Sequence, residues 1–250
     1  MDSIPVVVAG ITGRTGEAVA KTIHQTPGMT LIGAIAHNHA GEHLGARWSD
    51  PELDLSILES IEALQSSDYA VLVDFTEAES AFERLQWAIL HRWDIVVGTT
   101  GFSLDHRQRL AHLVERYQVG AALIANFSIG AWFLEKIAVD ASRFFDVAEI
   151  IEEHHATKRD HPSGTARRMQ NLLAQSWRRT PDDIPVHSIR LPGLVAHQTV
   201  IFGTEGQVLS LRHDVHDRSA YAVGVVRAIQ KVHALRGQVI NDLGVILDAD

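Results

Sequence analysis

The sequence of 250 residues contains no cysteine. A chain without thiols forms no disulfides, has no thiolate nucleophile and offers no thiolate ligand to a metal ion. No apolar run approaches the roughly 20 residues that a membrane-spanning helix needs. The opening segment, MDSIPVVVAG, lacks the basic region that begins a secretory signal peptide. We therefore expect a cytoplasmic protein with no membrane partner.

Basic residues are also in short supply. The 22 Lys and Arg residues stand against 31 Asp and Glu residues, which leaves a formal charge of −9. Nucleic-acid binding requires a basic face toward the phosphate backbone, so we expect no nucleic-acid partner. A local basic cluster on an acidic protein can still bind a small anion. Hydrophobic residues make up 46% of the chain, enough for the core of one large domain or two modest ones.

Strand-like and helix-like segments alternate in the first half of the chain. The predicted strands are Ile4–Ala9, Thr30–Ala36, Tyr69–Asp74, Asp94–Val97 and Gly120–Ala125, and the predicted helices are Glu17–Gln25, Glu79–His91 and Ser103–Tyr117, with Ser103 as an N-cap. We interpret the stretch between His37 and Ser67 as a loop with a short strand or helix. Alternation of this kind is typical of a doubly wound parallel sheet.

The second half has a different order of elements. A helix at Ile129–Ser142, a strand at Asp146–Glu153 and a helix at about Thr165–Arg178 precede three strands, Val186–Leu191, Val195–Phe202 and Gln207–His213. The turns between these strands favour an antiparallel meander. A helix at Ser219–Leu235 and an apolar tail at Val239–Leu247 end the chain. The order predicts a second domain of the α+β class.

A glycine-rich turn, Gly10-Ile11-Thr12-Gly13-Arg14-Thr15-Gly16, joins the first strand to the first helix. Glycine permits a tight turn and a close approach of a pyrophosphate to the backbone, and a helix N-terminus presents unpaired N–H groups. This context predicts a dinucleotide site. The alternative is a turn of the same fold that binds no dinucleotide.

The residues at the ends of three predicted strands bear on the cofactor. The second strand ends at Ala36, with His37 and Asn38 after it and no carboxylate to bind a ribose 2′-hydroxyl, so the sequence weakly favours NADPH over NADH. The alternative is that His37 is an ordinary loop residue. The segments Asp74-Phe75-Thr76 and Val97-Gly98-Thr99-Thr100-Gly101 also lie at the carboxyl ends of strands, where ligands of open α/β sheets bind, although either could be a plain turn.

The segment Glu152–Thr165, EEHHATKRDHPSGT, concentrates groups that carry chemistry. A histidine titrates near neutral pH and can act as a general acid, and Lys158 can offset the charge of a carboxylate or deliver a proton. The backbone of Ser163-Gly164-Thr165 at a helix start suits a carboxylate. This pattern favours an enzyme site for a small acidic substrate.

Two other interpretations of this segment remain: a solvated charged loop, and a metal site formed by His154, His155 and His161. Adjacent residues on a strand point to opposite faces, which disfavours chelation by the first two. The chain also lacks a His-Glu-x-x-His pattern. We therefore expect no metal here, and none at His213 and His216.

The segment Glu149–Thr165 resembles the signature of the dihydrodipicolinate (4-hydroxy-tetrahydrodipicolinate) reductases. The motifs GITGRTG, DFT, GTTG and NFSIG occur in the order found in that family. The match continues through Leu191–His197, Val200–Gly203, Arg212–Asp214 and Asp217–Arg218. The resemblance therefore spans nearly the whole chain.

The resemblance implies an α/β fold, with a Rossmann-like domain at 1–125 that is rejoined by about 220–250. It also implies a substrate-binding and oligomerisation domain at 126–219, with a mixed sheet that builds a homotetramer. The implied reaction is NAD(P)H-dependent reduction of a cyclic hydroxy dicarboxylate to tetrahydrodipicolinate, in the synthesis of diaminopimelate and lysine.

The resemblance also implies residue roles. His154 would be the general acid/base and Lys158 the proton donor, while His155, Gly164 and Thr165 would bind the substrate. Together with His37, the residues expected to bind the cofactor are Gly10, Ile11, Thr12, Gly13, Arg14, Thr15, Gly98, Thr99, Thr100, Ile124, Ala125, Asn126 and Phe127.

The sequence departs from the family pattern at three positions. Ala36 stands where many members have an acid, which leaves the choice between NADH and NADPH open. Ala125 replaces a common proline and Thr15 a common methionine, and both changes affect packing.

Two other functions fit the same scaffold. A semialdehyde dehydrogenase needs a cysteine nucleophile, which this chain lacks. A non-catalytic NAD(P)-sensing protein would not need the histidines, the lysine and the Ser-Gly-Thr turn together.

Overall fold

A computed structural model describes residues 3–64 and 68–248. The chain divides into two compact units, one formed by Met1–Phe127 with Tyr221–Asp250 and the other by Ser128–Ala220. Within the described ranges, no helix is both long enough and apolar enough to cross a membrane.

The elements alternate along most of the chain. The strands are β1 (Ile4–Ala9), β2 (Met29–Ile35), β3 (Ile57–Leu58), β4 (Val71–Asp74), β5 (Asp94–Val97), β6 (Ala121–Leu123), β7 (Val147–His154), β8 (Val186–Arg190), β9 (Ala196–Thr204), β10 (Gln207–Val215) and β11 (Val239–Ile240). The α-helices are α1 (Arg14–Gln25), α2 (Leu44–Trp48), α3 (Ala78–Leu90), α4 (Leu104–Tyr117), α5 (Ile129–Ala141), α6 (Gly164–Trp177), α7 (Ala222–Val232) and α8 (Leu243–Leu247).

The first unit contains a seven-stranded parallel sheet in the order β11-β6-β5-β4-β1-β2-β3. This order confirms the predicted doubly wound sheet. The central strands are buried throughout β4 and β5, which explains why they are continuous apolar runs in the sequence. Ala9, Asp74 and Val97 lie in register at the carboxyl ends of three neighbouring strands. The loops that follow them therefore emerge along one edge of the sheet.

The second unit contains a four-stranded mixed sheet in the order β10-β9-β7-β8. Ile150, Val200 and Phe202 point to its inner face, where they form a core with apolar side chains of α5 and α6. Alternate burial along β7 follows from this one-sided packing, because successive side chains of a strand point to opposite faces.

The predicted three-stranded meander is wrong. The last two strands, β9 and β10, do form an antiparallel hairpin, but β8 pairs in parallel with β7 and does not touch β9 in the ladder. The reason is the preceding helix: β7, α6 and β8 form a βαβ crossover, the connection that parallel neighbours require. Local turn residues do not reveal which strand a crossover returns to.

Several predicted boundaries also move. The helix predicted at Ser219–Leu235 is a 3₁₀ turn at Arg218–Tyr221, then α7, then a 3₁₀ turn at His233–Leu235. The apolar tail divides into β11 and α8. The irregular stretch after His37 contains α2, β3 and a 3₁₀ turn at Ile61–Ala63, and its end at 65–67 lies outside the described residues.

Candidate active site

The glycine-rich turn after β1 is closely packed. Gly10 has a φ of +82°, and a side chain there would also overlap the carbonyl of Phe75. A side chain at Gly16 would overlap the Gly10 carbonyl. Both positions therefore require glycine for the turn itself, because the left-handed conformation and the close backbone approach leave no room for Cβ.

The start of α1 is open where a phosphate would bind. Gly13 is the N-cap residue, and within the described residues no side chain caps the helix there. Gly13 and Arg14 are exposed and Thr12 and Thr15 half-buried. Unpaired N–H groups at a helix N-terminus attract anions. Ile11 is fully buried, so only its backbone is available to a ligand.

The ends of β4 and β5 are joined by a buried hydrogen-bond network. The Asp74 carboxylate accepts hydrogen bonds from the hydroxyls of Thr76 and Thr99, each at 2.7 Å, and from Arg84 Nε at 3.0 Å. The Thr99 side chain therefore stabilises the fold, because its hydroxyl is bonded to Asp74. Gly98 packs so tightly on the ring of Phe75 that a side chain would overlap it. Among Gly98, Thr99 and Thr100, only Thr100 has an exposed side chain.

The end of β2 has a carboxylate nearby after all. His37 is 87% exposed, and its Nδ1 lies 3.7 Å from Oε1 of Glu59, which follows β3. The two strands pair in register up to Ile35 and Leu58, so Glu59 stands beside Ala36. Sequence reasoning missed this acid because it belongs to a neighbouring strand.

Burial varies from residue to residue in the segment Ile124–Phe127. Ile124 and Phe127 are buried, and the Phe127 ring lies 6.1 Å from the ring of Phe75. Ala125 is exposed and Asn126 half-buried. The two outward-facing residues are the ones whose side chains a ligand can reach.

In the second unit, the inner face of the sheet is polar at one end. Ser188, Glu152, Gln198 and His213 are paired across the four strands and form one polar row. The next pairs along the strands, toward the other end, are apolar and belong to the core. This division places the polar groups at one end of a packed unit, where they are partly shielded from water.

Glu152 is the centre of the polar row and is completely buried. Its carboxylate accepts two hydrogen bonds from Arg190, from Nη1 at 2.9 Å and from Nη2 at 2.6 Å. It also accepts one from the backbone N–H of Ser163 and contacts Nδ1 of His154. Burial opposes ionisation of Glu152, but hydrogen bonds from Arg190, Ser188 and His154 outweigh it and hold its pKa below the ordinary value.

His154 lies at the end of β7 with its side chain 14% exposed. Burial lowers its pKa, although the hydrogen bond and charge of Glu152 act in the opposite direction. Because Nδ1 faces Glu152, Nε2 lies on the far side of the ring. This arrangement suits a histidine that exchanges a proton through Nε2.

The loop after β7 carries the predicted lysine. Lys158 Nζ lies 2.8 Å from Oδ1 of Asp160 and is 23% exposed, and this contact lowers the pKa of Asp160. His155 Nδ1 lies 2.8 Å from the hydroxyl of Thr157. Lys158 and His154 share one end of the second unit, because this loop starts where β7 ends at His154 and the Lys158 N–H donates to the His155 carbonyl.

Helix α6 begins beside these residues. The hydroxyl of Ser163 caps it by accepting a hydrogen bond from the Ala166 N–H at 3.2 Å. Gly164 is exposed, and a Cβ there would have no neighbour within 4 Å. Since the Ser163 N–H donates to Glu152, the helix start and the buried carboxylate are held together. The helix leaves an accessible N-terminus suited to a carboxylate.

Sequence reasoning missed Arg190 and the role of Glu152. Arg190 is 38 residues away from Glu152 in the chain and comes next to it only because β8 pairs with β7. The described residues contain no group of three or more His, Cys, Asp or Glu side chains that could hold a metal ion.

Comparison with known proteins decides the family. Residues 4–127 match the model for "Dihydrodipicolinate reductase, N-terminus", and residues 130–244 match that for the C-terminus. The chain belongs to the dihydrodipicolinate reductase family. The family resemblance seen in the motifs is thereby confirmed, and the chain is an oxidoreductase with a Rossmann-type dinucleotide-binding fold that uses NAD(P)H.

Relatives in this family match over nearly their full length. The 4-hydroxy-tetrahydrodipicolinate reductase of Synechococcus elongatus is 38% identical, over 94% of this chain and 95% of that protein. The enzyme of the same name from Nostoc punctiforme is 39% identical, over 94% and 95%. The dipicolinate-bound dihydrodipicolinate reductase of Paenisporosarcina sp. TG-14 is 31% identical, with a TM-score of 0.82 over 98% of this chain and 99% of that one.

Proposed function

We propose that the protein reduces 4-hydroxy-tetrahydrodipicolinate to tetrahydrodipicolinate with NAD(P)H, in the synthesis of diaminopimelate and lysine. One observation carries this proposal: His154, Lys158 and an open helix N-terminus share one end of the second unit, in a chain of the reductase family. A non-catalytic NAD(P) sensor is not favoured, because it has no use for an acid, a second proton donor and an anion site held together.

The overall reaction removes one water from the substrate and adds one hydride and one proton. Protonated His154 delivers its Nε2 proton to the departing hydroxyl, which leaves as water, and the neutral ring then takes up the proton that the adjacent ring carbon loses as the conjugated imine forms. Reduction of the resulting conjugated imine builds negative charge in an enamine. The ammonium of Lys158 offsets that charge and donates the proton that quenches it. Lys158 then recovers its proton from solvent, which accounts for the one proton consumed.

The start of α6 binds one substrate carboxylate. The backbone N–H groups of Gly164 and Thr165 donate to it, and the helix dipole favours its negative charge. His155 contacts the same small dicarboxylate. The open space around Gly164 supports this role, because the fold itself does not require glycine there.

The glycine-rich turn fits a dinucleotide, since its helix start has no side-chain cap and three of its residues, Gly10, Gly13 and Gly16, have no side chain. Gly10 to Thr15 would hold the pyrophosphate, and Gly98 to Thr100 with Ile124 to Phe127 would line the nicotinamide side. When bound, the nicotinamide supplies the hydride. The Thr99 side chain acts indirectly, because it is bonded to Asp74.

Cofactor choice depends on His37 and Glu59. The His37 ring can donate a hydrogen bond to a 2′-phosphate, whereas the Glu59 carboxylate repels it and can accept a hydrogen bond from a ribose 2′-hydroxyl. Nδ1 of His37 and Oε1 of Glu59 are 3.7 Å apart, so the two effects oppose each other. We therefore propose that the protein uses both cofactors and favours NADPH only slightly.

The outer face of the second sheet is the proposed assembly surface of a homotetramer. Val147 and Val208 flank Gly203 on this face and are 59% and 69% exposed. Exposed apolar side chains on a sheet face favour burial against another copy. Light scattering of the purified protein measures the oligomer directly, and a monomer would refute this part of the proposal.

The activity test supplies substrate from pyruvate and aspartate semialdehyde through the preceding synthase. Synthase-dependent oxidation of NADPH or NADH is the expected result. Lys158→Ala should lose turnover and retain cofactor binding, while Lys136→Ala, on the surface of α5, serves as the matched control. Folded protein that binds a cofactor but oxidises neither would overturn the proposal in favour of the sensor.

A further inference from the structure

The structure holds a buried ion pair behind the proposed acid. Glu152 and Arg190 are joined by two parallel hydrogen bonds, and their side chains are 0% and 10% exposed. Burying a carboxylate and a guanidinium is costly, and apolar residues of similar volume often replace such pairs without loss of stability. A pair kept at the end of β7, two residues from His154, therefore points to a use beyond packing.

Glu152 is arranged to hold the ring of His154. One oxygen of its carboxylate contacts Nδ1 of His154, and the same oxygen accepts from Arg190 Nη1. The other oxygen accepts from Arg190 Nη2 and from the Ser163 N–H. A carboxylate fixed by three donors has one orientation. The histidine that bonds to it therefore has a fixed ring position and a fixed donor at Nδ1.

We propose that Glu152, held ionised by Arg190, is a positioning residue that keeps the proton of His154 on Nδ1 and so presents Nε2 to the substrate. The inference rests on the proposed function, because it gives His154 the role of acid. Glu152 does not itself exchange a proton with the substrate. Its negative charge stabilises the imidazolium, the form that His154 needs before it acts.

The charged groups around His154 determine in which direction its pKa moves when the Glu152 charge is removed. Glu152 on β7 favours the protonated ring, while Arg190 on β8 and Lys158 in the following loop disfavour it. Asp160 is paired with Lys158 at 2.8 Å and partly offsets that charge. Removing the Glu152 charge leaves two cations and burial acting together. The fraction of protonated His154 at a given pH then falls.

The test is the pH dependence of kcat in Glu152→Gln, with Glu153→Gln as the matched control. Glu153 is the adjacent carboxylate on the opposite face of β7, where it pairs with Arg212 at 2.6 Å. In Glu152→Gln we expect kcat to fall about 10- to 100-fold, below the ceiling for loss of a general acid. We also expect the alkaline limb of the profile to move to lower pH by about one unit. The control should keep the profile of the parent.

A loss of activity at every pH without movement of the alkaline limb would overturn the inference, because a merely structural role lowers activity uniformly. The parent protein provides a second test that does not depend on a variant folding. Nitrogen-15 chemical shifts of neutral His154 should show the Nδ1–H tautomer, and the Nε2–H tautomer would refute the inference. If the parent lacks reductase activity, the proposed function fails, whereas the tautomer measurement still tests the geometry.

Discussion

Gly130→Ala is the substitution whose effect on stability can be worked out most fully from contacts within the second unit. Gly130 lies in the first turn of α5, and a Cβ built there would overlap Cδ2 and Nε2 of the His213 ring. The same Nε2 lies 3.3 Å from the hydroxyl of Ser128, the N-cap of this helix. The ring must therefore move away, and the contact with Ser128 is lost with it.

The magnitude follows from two opposing effects. Overpacking costs about 1–3 kcal/mol of the free energy of unfolding, whereas alanine is favoured over glycine in a helix by up to about 1 kcal/mol. We expect a net loss of about 1–2 kcal/mol. If the loss comes from the ring, Gly130→Ala in a His213→Ala background should instead stabilise the protein by up to about 1 kcal/mol.

Urea unfolding of the four proteins in this double-mutant cycle measures both values, with the coupling taken from the midpoints and slopes. The informative result is the change of sign between the two backgrounds. Gly164→Ala provides a control, because its Cβ meets no neighbour within 4 Å and should not lower stability. If Gly130→Ala destabilised both backgrounds equally, contact with His213 would not be the reason that this position is glycine.

Three further predictions concern other parts of the molecule. Gly164→Ala should not lower the free energy of unfolding and should raise the KM for substrate about tenfold, because a methyl group hinders approach of a carboxylate to the helix start; an unchanged KM would count against that role. Asp94→Ala should lower the free energy of unfolding by about 3 kcal/mol. The reason is that the buried carboxylate accepts hydrogen bonds from the Tyr69 hydroxyl at 2.7 Å and from a backbone N–H at 2.6 Å. Calorimetry, with Asp54→Ala at an exposed position as the control, checks this. Glu59→Gln should raise the NADPH-to-NADH ratio of kcat/KM several-fold, and a ratio that stays the same would show that Glu59 does not face the cofactor.

The sequence by itself determined the class of fold, because continuous apolar runs separated by helical periods fit a parallel sheet covered on both faces. It also determined the position of the glycine-rich turn, since the positive φ of Gly10 and the contact of Gly16 with the Gly10 carbonyl are both local constraints that require glycine. The segment Glu152–Thr165 was recognisable for a similar reason, as its groups lie close together in the chain. A constraint between residues that are close in the chain produces a pattern that can be recognised in the sequence.

Only the tertiary structure decided which distant groups meet. Strand pairing is set by contacts across the sheet, and a run such as Val186–Arg190 has the same pattern whether its neighbour is β7 or β9. The βαβ crossover brings Arg190 to Glu152, and pairing of β2 with β3 brings Glu59 beside Ala36. The ionised carboxylate behind His154 is therefore a product of long-range pairing, which no spacing of residues along the chain encodes.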